Sequence, residues 1–454
     1  MRLGPAKDER WNEFFGLDSS INPFDSWKSL SISLYMTLAG YAVLVGVPVI
    51  STAWVNLLGF SEVQVGRVAG ADLGGLSVGA LATSFIISKA SREQIMLIGT
   101  FIAVLFGWLV GPAMGVLSLG AICSSLLMSN ASKRQIIIFG ILIACTSNAA
   151  CISITSYEYT LWLRFLAGFG SGLITATAVS CLGASSRPAL AFNAMLFAFA
   201  FSQYAELEFL PMLSMQNIYI TFIVCFLIIV PFLGWVPNDK NIQPTINPEV
   251  AKPIEESKLS EDNLPKYVIW LCLSGIAITY VNIGAYWTYI EIAAASDNTD
   301  PKWVGSVLAW SSFFSFVGCL FATLLSNKFG LLRPLLVTLV CQASIVGMLA
   351  NGVTNTNILI SVFSFNCLWI FIDVYQMSTI ANFDKIGKYA SLMPGAQGLG
   401  QIIGPYSASY IIGLGLGYSA VFIMCAMASL IAMLIYAFIF LKFKSRRPEL
   451  AYAT

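Results

Sequence analysis

Fourteen apolar runs divide this chain, and its basic residues fall almost entirely on alternate connections between them. The runs lie near 31–53, 66–88, 93–110, 112–129, 135–154, 157–183, 188–213, 216–237, 267–292, 302–326, 333–351, 355–382, 388–413 and 417–441. Counting sides in order puts 21 of the 24 Lys and Arg together; only Arg67, Arg164 and Lys302 fall elsewhere. A bilayer core about 30 Å thick needs roughly 20 apolar residues per helix, and Lys and Arg accumulate in cytoplasmic connections. The pattern predicts an all-α polytopic membrane protein of the cell membrane, with both termini cytoplasmic.

Composition agrees. The 454 residues are 57% hydrophobic and 10% charged, whereas a soluble domain carries about a quarter charged residues. A net charge of +1 gives no electrostatic case for nucleic acid. The polar opening residues, with Lys7, Asp8, Glu9 and Arg10, read as a cytoplasmic tail with no cleavable leader. The absence of His removes imidazole relays and the commonest metal ligand. The ten Cys lack CxxC spacing and mostly sit inside apolar runs, so packing is expected of them, with no metal and no cofactor.

A polar stretch rich in Pro, Glu and Lys divides the chain. The expected organisation is a tail over 1–30, a helical half over 31–237, a cytoplasmic linker over 238–266, a second half over 267–441 and a tail over 442–454. Within the first half, residues 66–103 align without gaps on 107–144, with 16 of 38 positions identical, including Gly66/Gly107, Gly70/Gly111 and Gly79/Gly120. This predicts a duplicated helical hairpin near 93–129, added to two six-helix halves. Two extra helices preserve the sidedness of every basic residue that follows.

Ionisable groups inside spans are costly and by default functional or paired. Asp72, Arg164, Glu206, Glu208 and Asp373 are the candidates for proton coupling or gating. Asp72, Arg164 and the two glutamates lie at similar depth, which suggests one shared polar cluster; a static buried ion pair is the alternative. Glu206 and Glu208 stand two residues apart, about 200° around a helix, so they face different ways. Gln376 shares a face with Asp373, as a cavity residue or a helix–helix hydrogen bond. The second repeat copy has Trp108 and Ala113 where the first has Arg67 and Asp72, which favours Asp72 as a cavity residue. Glycines at 66/70/74 and 168/172 have the small-xxx-small spacing of close helix packing.

Several segments resemble the major facilitator superfamily of secondary transporters. VGALATS (78–84) and VGCLFAT (317–323) precede corresponding basic turns in the two halves, SKASREQ (88–94) and SNKFGLLRP (326–334). RFLAGFGSG (164–172) is similar to the family's fourth helix and LMPGAQGLGQIIGPY (392–406) to its Gly-rich eleventh. The turns lack the family's acidic residue followed by Arg and Gly. The fifth-helix span lacks the Gly-Pro signature of its antiporters, and GWLVGPAMG (107–115) lies in the wrong helix. The resemblance implies twelve core helices around a midplane cavity, lined by the first helix of each half. Tyr280, Asn282 and Trp287 then become cavity candidates, with Tyr289 assigned to an interfacial aromatic belt. Gln397 and Gln401, on one face of the Gly-rich helix, join them.

The expectation is a secondary transporter of a small organic solute, working by alternating access as a monomer. No GxxxxGK[ST] is present, so a proton gradient is the expected driver. A non-transporting sensor or scaffold on the same fold is the alternative, followed by a drug antiporter. No HExxH is present, so no zinc-hydrolase pattern supports a membrane enzyme.

Overall fold

The computed structural model describes residues 22–88, 131–185, 188–237, 265–383 and 393–443. The expected hairpin near 93–129, almost all of the linker and most of both tails lie outside these residues. The described chain is helical throughout: α1 Trp27–Leu58, α2 Glu62–Ser88, α3 Lys133–Ser153, α4 Tyr157–Gly183, α5 Pro188–Phe209 and α6 Met215–Leu227, then α7 Lys266–Ser296, α8 Pro301–Ser311, α9 Phe314–Phe329, α10 Leu332–Gly347, α11 Asn355–Phe383, α12 Met393–Gly413 and α13 Gly417–Phe443. α8 and α9 are two pieces of one crossing, broken at Ser312–Phe313, so the described residues of each half make six crossings. Ten stretches of described helix are long and apolar enough to span a bilayer. The chain is a polytopic membrane protein.

Helix ends follow local chemistry. The Ser26 hydroxyl accepts the Ser29 N–H to start α1, and Ser132 and Gln135 form a capping box on α3. α8 opens on Asp300, which accepts the Lys302 N–H, with Pro at the first helical position. α1 ends at Gly59, whose φ of 69° is the left-handed closing conformation. The tail expected over 1–30 ends earlier than the pattern suggests. Phe24 and Asp25 are buried, Ser185 Oγ donates to Asp25 Oδ1 at 2.7 Å, and α1 already begins at Trp27.

Glycine sets the closest approaches within the first half. A Cβ at Gly168 or Gly172 of α4 would stand 2.0–2.1 Å from the carbonyls of Asp72 and Leu76; one at Gly75 or Gly79 of α2 would strike α4 at 2.0–2.2 Å. α2 and α4 therefore meet backbone to backbone, as the spacing at 168/172 implies. The run at 66/70 serves another contact: Gly66 lies against Tyr289 and Pro405, and Gly70 against Tyr406. Those partners belong to the second half. α3, α6, α10 and α13 bury less than half of their most apolar stretch and turn Leu142, Leu227, Val337 and Leu434 outward, the surface a hydrocarbon solvent accepts.

The halves meet along three seams: α2 with α12, α5 with α8 and α9, and α1 with α7. The α5 seam is aromatic, with Phe197 on Phe316, Phe201 on Phe313 and Tyr204 on Trp310 at 4.9–5.3 Å. Arg164 in the first third of α4 bonds both Asp72 in the first half of α2 and Asn148 near the end of α3. That contact fixes the direction of each helix and puts Ser88 and Lys133 on the same face of the bundle.

Candidate functional site

A cavity of about 170 Å³ lies between the halves, from the middle of the bundle toward the face where α1 and α7 begin. α1 contributes Tyr41 and Leu44, α2 Leu76, Ser77 and Ala80, and α5 Met195, Leu196 and Phe199. From the second half come Tyr280 of α7, then Trp369, Ile370, Asp373 and Met377 of α11, and Gln397 and Gln401 of α12. Of the residues proposed from sequence, Asp373, Tyr280, Gln397 and Gln401 are therefore brought together. Tyr280 Oη donates to Asp373 Oδ2 at 2.6 Å, and the Trp369 indole N–H reaches Tyr280 Oη at 3.4 Å. Asp373 Oδ1 has no hydrogen-bond partner. Among the described lining residues Asp373 is the single carboxylate, and no Lys or Arg faces it.

The face opposite the cavity is sealed by bonds between the halves. Trp287 Nε1 donates to the Val45 carbonyl at 3.2 Å, Tyr289 Oη to that of Glu62 at 2.9 Å, and Tyr406 Oη to that of Arg67 at 3.0 Å. Trp287 also stacks parallel to Phe365, with ring centres 6.2 Å apart. Trp287 is thus part of a plug above the cavity and does not line it; its indole N–H needs a buried acceptor, and the α1 carbonyl supplies one. Tyr289, assigned from sequence to an interfacial belt, is fully buried for the same reason.

Two other cavity candidates use their amide N–H groups between helices. Asn282 is buried and donates to Ser429 Oγ at 2.8 Å, tying α7 to α13. Gln376 donates to Thr279 Oγ1 at 2.9 Å, tying α11 to α7. Their faces point away from the other half.

Asp72 and Arg164 form a separate, closed site. Arg164 Nε donates to Asp72 Oδ2 at 2.7 Å, Nη2 stands 2.5 Å from the same oxygen, and Nη1 donates to Asn148 Oδ1 at 2.7 Å. The guanidinium lies 5.6 Å over the Tyr219 ring, and Tyr219 Oη accepts from Trp54 Nε1 at 3.1 Å. Both charged side chains are at most 1% exposed. Asp72 is accordingly not a cavity residue: it lies beyond Leu76 and Ser77, turned to α4 and its partner charge. Nor do the four acids and bases expected at similar depth form one cluster. Glu206 instead accepts from Ser202 at 2.8 Å, keeps Oε2 unpartnered and stands beside Gly46 of α1. Glu208 is half-buried and joins neither group.

Sequence reading missed Tyr41, Trp369, Asn148 and the buried pair Gln203–Asn366, which spans the α5 seam at 3.5 Å and continues to Ser311. Two of these left a trace. Trp369 stands four residues before Asp373, one helical turn away on its face. Tyr41 and Tyr280 each stand fourteen residues after the start of the first helix of their half, as parallel half-repeats require.

No family model and no curated protein matches this sequence. Solved structures do. The nucleoside transporter NupG superposes with a TM-score of 0.60 at 13% identity, over 90% of this chain and 99% of that one. A structure described as giving insight into substrate recognition in proton dependent oligopeptide transporters gives 0.61 at 12% identity, over 92% and 98%. The human organic anion transporter MFSD10 (TETRAN) gives 0.55 at 11%, over 90% and 97%. The chain has the major facilitator superfamily fold: a multi-pass membrane protein with two helical halves around a central cavity.

Proposed function

We propose that this protein is a secondary transporter that carries a small organic solute across the cell membrane by alternating access, with both termini cytoplasmic. The observation that carries the reading is the cavity: one carboxylate, two amides and several aromatic rings, drawn from both halves and closed on one face by bonds between them. Its volume of about 170 Å³ is below the roughly 300–1,000 Å³ of drug-sized pockets, which suits a small solute. The neighbours of like fold, described as nucleoside, oligopeptide and organic anion transporters, support the class of activity. Closure on the face opposite the termini corresponds to access from the cytoplasm.

In this reading a proton gradient supplies the energy. Glu206 takes the coupling proton, because it has one hydroxyl partner and no basic residue beside it, under a helix that must move. Asp373 faces the solute. Asp72 and Arg164 neutralise each other and act as a clamp joining α2, α3 and α4. Glu208 is given no role in coupling. The functional unit is a monomer, because both halves of the site come from one chain.

Purified protein in proteoliposomes, given imposed proton or sodium gradients and a broad panel of small solutes, tests this. Accumulation of at least one solute under a proton gradient is expected, with Glu206→Gln retaining exchange and losing accumulation. No accumulation of any solute under either gradient would refute transport. Accumulation by Glu206→Gln equal to the parent would remove Glu206 from coupling.

A further inference from the structure

The chemistry of the cavity narrows the solute. A carboxylate inside a membrane protein is expensive unless a positive charge or a full set of donors meets it. Asp72 has the positive charge, from Arg164. Asp373 has only neutral donors, Tyr280 on Oδ2 and the Trp369 indole beside it, and Oδ1 has no geometric hydrogen-bond partner. No Lys or Arg among the described residues lines the cavity to balance it. The missing partner is therefore an N–H donor or a cation brought from outside.

The surroundings are those that stabilise a cation. Tyr41, Tyr280 and Trp369 present ring systems in the same small space as the carboxylate, and aromatic faces attract ammonium groups by about 0.5–2 kcal/mol each. Tyr280 already donates to the carboxylate at 2.6 Å, the short distance of a charge-assisted bond; the group is held as an acceptor. Leu76, Phe199 and Met377 supply apolar wall. Gln397 and Gln401 have amide dipoles that turn toward either charge.

We propose that the cavity binds a small organic cation, an ammonium carried on a compact apolar or aromatic body, with Asp373 as its counter-ion and Trp369 and Tyr41 against its ring or methyl groups. This rests on the transporter reading of the same cavity and adds the substrate class to it.

The test uses full-length protein in proteoliposomes and a series of matched solutes. Primary, tertiary and quaternary ammonium compounds, with and without one aromatic ring, are each paired with the neutral alcohol and the carboxylate of the same skeleton; 2-phenylethylammonium, 2-phenylethanol and phenylacetate form one set. Uptake and ligand-induced thermal stabilisation are measured on each. At least one ammonium compound is expected to be moved and to bind ten-fold or more tightly than its neutral counterpart. Asp373→Asn, which keeps size and folds if its unliganded melting point matches the parent, should lose that ten-fold preference. Trp369→Leu should weaken the aromatic cation more than the aliphatic one. If neutral or anionic members are transported as well as the cations, or if Asp373→Asn leaves the preference unchanged, the cation assignment falls while transport stands. If no member of any charge class moves or binds, both fall together. Should Asp373→Asn fail to fold, Asp373→Ser, which also removes the charge, and Trp369→Leu carry the same comparison, and an unchanged preference in both overturns the assignment.

Discussion

Removing the charge of Asp72 should destabilise the first half far more than removing both members of its pair. Arg164 makes three contacts with two side chains, two to Asp72 Oδ2 at 2.5 and 2.7 Å and one to Asn148 at 2.7 Å, and has no exposed surface. Taking away one partner of such a pair leaves a charge without a counter-ion in a dry interior, which costs about 3–5 kcal/mol. Asp72→Asn keeps the shape and one acceptor, so its cost lies near the lower end. Arg164→Met strands both the carboxylate and the Asn148 amide oxygen, and lies near the upper end. The double variant Asp72→Asn/Arg164→Met strands no charge. Its cost should fall well below the sum of the singles, giving a coupling of at least about 3 kcal/mol. Reversible unfolding in mixed detergent, titrated with denaturant, reads all three. A cost below about 1 kcal/mol for Asp72→Asn, or additive effects in the double variant, would refute the view that this pair holds the helices together. The same proteins separate a clamp from a coupling site. A folded double variant that still accumulates solute under a proton gradient marks the pair as a clamp; one that exchanges but does not accumulate assigns it to coupling.

Other substitutions follow the same geometry. Gly168→Ala puts a Cβ about 2.0 Å from the Asp72 carbonyl, which neither backbone can yield, so a loss of about 1–3 kcal/mol or more is expected in the same unfolding assay. Gly59→Ala meets open space but keeps φ at 69°, and should cost about 1–2 kcal/mol from left-handed backbone alone. Gln376→Leu, away from the cavity, should lower stability by about 1 kcal/mol with an unchanged uptake KM, whereas Gln401→Leu should raise that KM; the reverse outcome would exchange their roles. Tyr289→Phe with Tyr406→Phe removes two bonds of the plug, and should increase labelling of Thr52→Cys by a membrane-impermeant thiol reagent added on the face opposite the termini.

The helices were legible because hydrocarbon thickness and charge sidedness are properties of the sequence itself. Where a helix touches its neighbours was not. Asn282 and Asp373 are both polar residues deep in apolar helices, and composition treats them alike. One faces α13, where its amide N–H donates to Ser429; the other faces the gap between halves and lines the cavity. The difference is a rotation about each helix axis, set by packing glycines such as Gly400 against the α7 backbone at Ala277 and Gly404 against that at Val281. Asp72 shows the same limit. Its loss from the second repeat copy pointed to a cavity position, yet it turns to α4: Gly168, whose missing Cβ lets α4 come close, brings Arg164 within reach of it. The break between α8 and α9 was invisible for another reason: Phe-rich apolar sequence continues through Ser312–Phe313 without a Gly or Pro to announce it.

The energies of these contacts differ in a way that alternating access requires. Within the first half, a buried ion pair and backbone-to-backbone glycine contacts resist separation by several kcal/mol each. Between the halves, the plug is three hydrogen bonds from aromatic side chains to the carbonyls of Val45, Glu62 and Arg67. Each is worth about 0.5–1.5 kcal/mol net, because water replaces the partner once the face opens. Two to four kcal/mol in total is within reach of a solute that binds one arrangement some hundred-fold better than the other. The halves can then move as bodies while the plug opens and closes. The glycines at 66 and 70 make the closed arrangement possible at all: a Cβ at either would stand 2.0 Å from Tyr289 Oη or 2.6 Å from the Tyr406 ring. Their spacing, which in sequence speaks only of helix packing, here leaves room for the two tyrosines that close the gate.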